Sequence, residues 1–184
     1  MDELGSTAYV ILGMVRKGPR SGYEIKALVD NSTRFFWAAS YGQIYPELKR
    51  LSEAGLVVGT EQPTGGRKRT VYEITADGEE ELRSWLRQPP RTFEMRDEGL
   101  LKLFFADALP RQEALEILRA MREQRLAGNK QLRAIKELKL KGEMEDPFPL
   151  IVLEGGLEFT EWFVEWCERM ERKILTSAPE KRSS

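Results

Sequence analysis

Arg67, Lys68 and Arg69 stand in a row after Gly65-Gly66, and Tyr41, Gln43, Tyr45, Lys49 and Arg50 lie close together upstream of them. Adjacent cations on a hairpin tip can grip a run of anionic oxygens. Rings, an amide and cationic heads along one helix can stack, hydrogen-bond in a plane and meet phosphates. Between residues 40 and 72 the basic side chains Lys49, Arg50, Arg67, Lys68 and Arg69 outnumber the acidic Glu47, Glu53 and Glu61. The whole chain carries 29 Lys+Arg against 30 Asp+Glu, so any attraction to a polyanion is local.

Catalytic chemistry has little to work with. The sequence has no histidine, which removes the commonest general base. Its one cysteine, Cys167, excludes an internal disulfide and any CxxC metal site. Phosphate-cradling patterns such as GxGxxG or GxxxxGK[ST] are absent. Glu154, Glu158, Glu161, Glu165, Glu168 and Glu171 share the C-terminal region with Arg169, Arg172 and Lys173 and read as solvated, mutually paired faces. The expectation is a protein with no catalytic residue, metal site or cofactor. An enzyme working through paired carboxylates stays as a rival reading, although no pair is nominated.

The longest apolar stretches, Ala8 to Leu12 and Leu100 to Phe105, fall far below the ~20 residues of a bilayer span. The start MDELGSTAY carries acids where a secretory signal is basic. A cytoplasmic chain without a membrane partner is expected, and Asn31-Ser32-Thr33 reads as a helix end rather than a glycosylation site.

The elements that must position the recognition groups follow from spacing. At 184 residues and 41% hydrophobic composition the chain can bury a core. Ala8 to Val15 is apolar nearly all round, a short buried helix ended by Gly18-Pro19. Ser21-Gly-Tyr-Glu24 has the form of a capping box ahead of Ile25, Leu28 and Val29. Ser40-Tyr-Gly-Gln43 repeats that form ahead of Ile44, Leu48 and Leu51, and Gly55-Leu56 marks the end of this third helix. Pro46 predicts a distorted or tightened first turn there. If Ile44, Leu48 and Leu51 face the core, then Tyr41, Tyr45, Lys49 and Ser52 form another stripe, with Gln43 and Arg50 at its edges. Gln43 has two open readings: tied to the backbone of Ser40, or reaching a base. Leu56 to Val58 and Thr70 to Ile74 read as strands flanking a Pro63-Thr-Gly-Gly66 turn, and Thr75 caps a helix through Leu82, Trp85 and Leu86. The order helix, helix, helix, strand, strand, helix is that of a winged helix-turn-helix, whose third helix enters the major groove.

Gln88-Pro89-Pro90-Arg91-Thr92 breaks the pattern. The chain is therefore divided into a winged helix-turn-helix over 1–88, a linker over 89–97, an α-helical dimerisation domain over 98–175 and a flexible tail over 176–184. The fold class is mainly α with a small β-wing. In the second half Pro110 opens a helix from Arg111 to about Lys141, with a seam of Leu118, Met121, Arg125, Gly128, Leu132 and Ile135. The last helix, about Leu150 to Leu175, places Leu153, Leu157, Thr160, Val164 and Cys167 on one seam with Phe163, Trp166 and Met170 beside it. Such a face wants a partner. Trp37, with Trp162, Phe163 and Trp166, either lines a pocket for a small apolar effector or is ordinary core and dimer contact.

The first half resembles the PadR-like transcriptional regulators. The resemblance rests on Leu12-Gly13, Gly18-Pro19, Ser21-Gly-Tyr-Glu-Ile25, Ser40-Tyr-Gly-Gln-Ile-Tyr-Pro-Glu-Leu-Lys-Arg-Leu51, Glu53-Ala-Gly-Leu56, Gly66-Arg-Lys-Arg-Thr-Val-Tyr72, Ile74-Thr75 and Gly78. The second half is similar, in its arrangement of helices, to the subgroup related to virulence gene activators. The resemblance implies a cytoplasmic bacterial homodimer, usually a repressor, bound to an inverted-repeat operator in double-stranded DNA and often answering to a small molecule. It assigns Ser40, Tyr41, Gln43, Tyr45, Lys49 and Arg50 to the recognition helix, Ser21 and Tyr23 to the neighbourhood of the DNA backbone, and Arg67, Lys68 and Arg69 to the wing. With no histidine in the chain, the phenolic-acid sensing of the family's namesake is not carried over, and the effector is unassigned. A protein-interaction module built on a winged-helix scaffold is the alternative.

Overall fold

The computed structural model describes residues 4–18, 20–64, 67–90, 95–141 and 146–176, without the side chains at 64, 67, 68, 139 and 141. Gly65 and Gly66 of the predicted turn, 91–94 of the predicted linker and 177–184 of the predicted tail lie outside the described residues. The chain divides into two compact units, Met1–Thr92 and Phe93–Ser184.

In the first unit α1 (Ser6–Arg16), β1 (Arg20–Ser21), α2 (Gly22–Asp30), α3 (Tyr41–Glu53), β2 (Val57–Thr64), β3 (Arg67–Ile74) and α4 (Ala76–Arg87) follow in order, with a 3-10 turn at Thr33–Phe35. The apolar stripes read from spacing do meet: Ile11, Leu12, Val15, Ile25, Val29, Ile44, Leu48, Leu51, Val57 and Leu82 form one buried cluster. Asn31 caps α2, its side-chain amide donating to the Ala27 carbonyl at 2.8 Å, as a helix end should. α3 runs unbroken through Pro46. Its first turn is tightened as expected, with the Ser40 carbonyl accepting from the N–H groups of both Gln43 and Ile44 at 3.0 Å. The end of α3 is a Schellman motif: Leu56 N–H donates to the Leu51 carbonyl and Gly55 N–H to that of Ser52, with Gly55 at φ +70°. Thr75 caps α4, its hydroxyl accepting from Gly78 N–H at 3.1 Å.

The sheet departs from expectation in two ways. It has three strands in the order β1-β3-β2, because Arg20 and Ser21 pair antiparallel with Tyr72 and Val71. The hairpin is also longer than read. Gln62, Pro63 and Thr64 belong to β2 and pair with Arg69, Lys68 and Arg67, so the basic row lies along β3 rather than on a loop. Ladder hydrogen bonding holds these polar residues extended without apolar alternation, and Pro63 is tolerated because β2 is an edge strand.

The second unit comprises α5 (Glu98–Phe104), a 3-10 turn at Ala106–Ala108, α6 (Arg111–Lys141) and α7 (Phe148–Thr176). Thr176, placed in the tail by sequence, ends α7. α6 and α7 pack together through two clusters, Leu118, Met121, Phe163 and Cys167 at one end and Leu132, Leu153 and Leu157 at the other. Leu115, absent from the predicted seam, is buried, and Phe163 is buried in place of Val164, which is half-buried. The reason is α5, whose Leu100 and Leu103 join the first cluster and draw the buried face of α7 toward Phe163, Trp166 and Met170. Burial pushes the Cys167 thiol up, against the pull of Arg122 and Arg125, so it stays protonated at neutral pH.

Candidate nucleic-acid interface

With Ile44, Leu48 and Leu51 in the core, α3 turns Tyr41, Tyr45 and Lys49 outward. The two rings stack on each other with centroids 6.2 Å apart and planes at 22°, and Lys26 of α2 sits 5.6 Å from the Tyr41 ring centroid. Lys49 is 78% exposed and lies 3.7 Å from Glu53, a surface pair weak enough to exchange for a phosphate. Arg50 Nε lies 3.6 Å from Glu47 Oε1.

The two readings of Gln43 are decided by its oxygen. Gln43 Oε1 accepts from the N–H of Ser40 at 2.9 Å and from its hydroxyl at 3.1 Å. Bidentate reading of adenine needs that oxygen together with the amide nitrogen, so a capped Gln43 offers a base its N–H groups alone. Ser40 is held in the same exchange.

Ser21 and Tyr23 part company. Ser21 is buried, its N–H and hydroxyl both donate to Glu24 Oε2 at 2.8 and 3.0 Å, and its hydroxyl accepts from Glu24 N–H at 3.4 Å. Its side chain is a cap. Tyr23 is 67% exposed. Between them, Gly22 lets α3 approach α2: a Cβ there would lie 2.7 Å from Cε1 of Tyr45, closer than real atoms come. The seat of the Tyr45 ring thus depends on a glycine in another helix.

The basic row is not uniform either. Arg67 and Lys68 have their backbones in β3, and their side chains lie outside the described residues. Arg69 donates from a terminal nitrogen to Glu24 Oε2 at 2.5 Å, and its Nε is buried without a hydrogen-bond partner among the described residues. Glu24 is the residue that sequence reasoning missed as part of the site. Its capping role was visible in S-x-x-E, but its second partner comes from a strand 45 positions away. The Ser21 N–H above all, then the Ser21 hydroxyl and Arg69, hold the Glu24 carboxyl below its ordinary range against the opposing effect of partial burial.

The four aromatic residues proposed for an effector are divided between the units. Trp37 belongs to the first and is half-exposed. On α7, Phe163 touches both tryptophans, with centroids 6.1 Å from Trp162 and 5.4 Å from Trp166. Phe163 itself is buried, and the Arg125 guanidinium lies 4.5 Å from its centroid. An open cavity of about 530 Å³ in the second unit is lined by Arg96, Asp97, Lys102, Glu116, Ile117 and Met121 among others, and by none of the four. Among the described residues no group of three His, Cys, Asp or Glu side chains is placed to hold a metal, and no helix is long and apolar enough to cross a membrane.

Comparison with known proteins decides the family. Residues 11–84 match the Transcriptional regulator PadR-like family, and residues 95–174 match the family described as Virulence activator alpha C-term. The Negative transcriptional regulator PadR of Bacillus subtilis is 34% identical over 169 residues, 87% of this chain and 92% of that protein. The chain belongs to the PadR-like family of transcriptional regulators. Its fold superposes on B. subtilis PadR solved with operator DNA at a TM-score of 0.82, 34% identity, covering 92% of this chain and 99% of that one. A structure of the same PadR with p-coumaric acid matches at a TM-score of 0.74 and 32% identity, covering 92% and 96%. The Vibrio cholerae virulence activator AphA, 23% identical with a TM-score of 0.73 over 93% of this chain and 99% of its own, shares the fold. In this PadR-like chain the winged helix-turn-helix and the helical region that follows it are both present.

Proposed function

We propose that this PadR-like protein is a sequence-specific DNA-binding regulator that acts as a homodimer on an inverted-repeat operator and represses transcription there. The observation that carries the reading is one helix with two faces: α3 buries Ile44, Leu48 and Leu51 and presents Tyr41, Tyr45 and Lys49 outward, beside a hairpin that bears a basic row. Such a helix fits the major groove, and a symmetric pair about 34 Å apart would reach successive turns of a duplex. Kinship with a repressor solved on its operator supports the assignment. The contact set is Tyr23, Ser40, Tyr41, Gln43 through its amide N–H, Tyr45, Lys49 and Arg50, with Arg67 and Lys68 on the flanking phosphates.

Residues 1–88 act as the DNA-binding domain, 89–97 as the linker and 98–175 as the dimerisation domain. Support for the last comes from exposed apolar residues on both long helices, Leu138 and Leu140 on α6 and Phe148, Ile151 and Val152 on α7, a surface that a second copy would cover. The protein is not an enzyme and works in the cytoplasm. Release by a small molecule is part of the reading, with Trp162 and Trp166 of α7 as contacts, because a relative of similar length was solved with p-coumaric acid. A ligand shifts operator affinity only as far as it prefers one arrangement of the dimer over the other.

Fluorescence anisotropy on duplexes enriched from a random library, against scrambled controls and across a salt series, tests this. Binding at least ~10³-fold tighter to the enriched duplex, with a steep salt slope, is expected. Equal weak binding to every duplex would refute sequence specificity. No binding at low salt would favour the interaction module. Calorimetry starts with p-coumaric acid: no heat, and no change in operator affinity, would argue for control without that ligand.

A further inference from the structure

We infer that Arg69 serves the DNA interface without touching DNA: it is a positioning residue that neutralises the carboxylate capping α2. The inference rests on the DNA-binding reading and concerns how one member of the basic row is used.

The geometry draws Arg69 inward. It shares a face of β3 with the buried Val71, two positions along, and Val71 pairs across the ladder with Ser21. Ser21 holds Glu24 by its N–H and hydroxyl, so the Glu24 carboxylate is fixed beside the strand, and the Arg69 guanidinium reaches it at 2.5 Å. With one terminal nitrogen on Glu24 and Nε buried, Arg69 keeps a single terminal nitrogen for solvent and not the paired donors with which arginine grips a phosphate.

The electrostatics explain why a cation belongs there. α2 and α3 are both closed by capping boxes at the interface. The α3 box uses the neutral Gln43. The α2 box uses Glu24, and a bare carboxylate beside Tyr23 and the wing would repel the phosphates those groups are placed to meet. Arg69 cancels that charge where it arises. The pair is 40% and 39% exposed, so it adds little to stability, and its consequence falls on binding. The phosphate contacts proposed for the wing are then assigned to Arg67 and Lys68.

The test uses the full-length protein and a duplex that the wild type enriches from a random library. Operator affinity is measured across a salt series for Arg69→Ala, Glu24→Gln, the double variant and Lys68→Ala. Arg69→Ala is expected to weaken binding about tenfold at the lowest salt and by less as salt screens the bared Glu24 carboxylate, and the double variant to return to within about threefold of wild type. Lys68→Ala is expected to lower the slope by about 0.9, one phosphate contact. An equal loss from Arg69→Ala with or without Glu24→Gln would overturn the inference, since a direct phosphate contact is lost whatever stands at position 24. Melting curves accompany each variant, and if Arg69→Ala is unfolded at the assay temperature, Arg69→Gln alone and with Glu24→Gln is scored by the same criteria. A wild type that enriches no duplex refutes the DNA-binding reading itself, a result distinct from failure of the rescue.

Discussion

Around the core of the winged unit, Ile11, Leu12, Ile25, Ile44, Leu48 and Leu51 touch as one cluster, all of them fully buried. In the helical unit α6 and α7 bury two smaller clusters, and between them lies a polar link in which Asn129 Nδ2 donates to Thr160 Oγ1 at 3.0 Å and Arg133 Nε to Asn129 Oδ1 at 2.7 Å. Four helices and a sheet can surround a core on every side; two long helices beside one short one cannot. The winged unit is therefore stabilised from within, whereas the helical unit leaves Leu138, Leu140, Phe148 and Ile151 facing outward. On the proposed function, rigidity is placed where α3 would be held against DNA, and adhesive surface where a second copy would be met.

The largest effects should come from emptying each core. Phe163→Ala removes the ring that joins α5, α6 and α7 and that carries the Arg125 contact, and should cost about 3–5 kcal/mol in denaturant unfolding. Leu48→Ala, inside the larger cluster, should cost about 2–5 kcal/mol. If Phe163→Ala proves nearly neutral while Leu48→Ala does not, the helical hairpin draws its stability from elsewhere and the comparison of two buried cores fails.

Asn129 sharpens the contrast at a smaller scale. Asn129→Ala should cost about 1–2 kcal/mol by removing a buried donor to Thr160 and the acceptor for Arg133. Asn129→Leu with Thr160→Val would fuse the two clusters into one apolar seam, and most of that loss should return, since replacing both members of a buried polar pair by apolar groups is close to neutral. The polar link would then be a device for fixing the register of α6 against α7 rather than a source of stability. A double variant as unstable as Asn129→Ala, by chemical denaturation, would contradict this.

Much of this architecture was legible because its causes are local. Ser21 with Glu24, Ser40 with Gln43, Gly55 with Leu56, and the stripe of Ile44, Leu48 and Leu51 act within one or two turns of chain, and the elements formed where those signals stand. What escaped reading is non-local. Arg20 and Ser21 make a strand only because β3 lies beside them. Gly59 to Thr64 extend β2 without apolar alternation because ladder bonds hold them. Phe163 replaced Val164 because α5 packs there. In the site, the stripe of Tyr41, Tyr45 and Lys49 followed from helical period. The engagement of Arg69 by Glu24 and the seat of Tyr45 on Gly22 needed two segments brought together.

The smallest effect, and the one that tells the two units apart by pH, concerns Glu24 and Glu98. Both carboxyls lie below the ordinary value near 4.5. Glu98 owes this first to a hydrogen bond from Lys102, one turn along the same exposed helix. Glu24 owes it to Ser21 and Arg69, from two separate segments. A carboxyl held lower in the folded chain than in the unfolded one contributes stability that is fully present above the unfolded value and lost as pH falls through the folded value. Glu24→Gln keeps an oxygen for the Ser21 N–H, as Gln43 has for Ser40, and does not titrate. The melting temperature of the wild type relative to Glu24→Gln should therefore hold steady from pH 7 to about 5.5 and drop below pH 4.5. The same comparison with Glu98→Gln should change little, because an exposed pair within one helix is screened and survives partly in the unfolded chain. Equal acid sensitivity at the two positions would mean that tethering Glu24 to a distant strand adds nothing to its hold on the proton-free form.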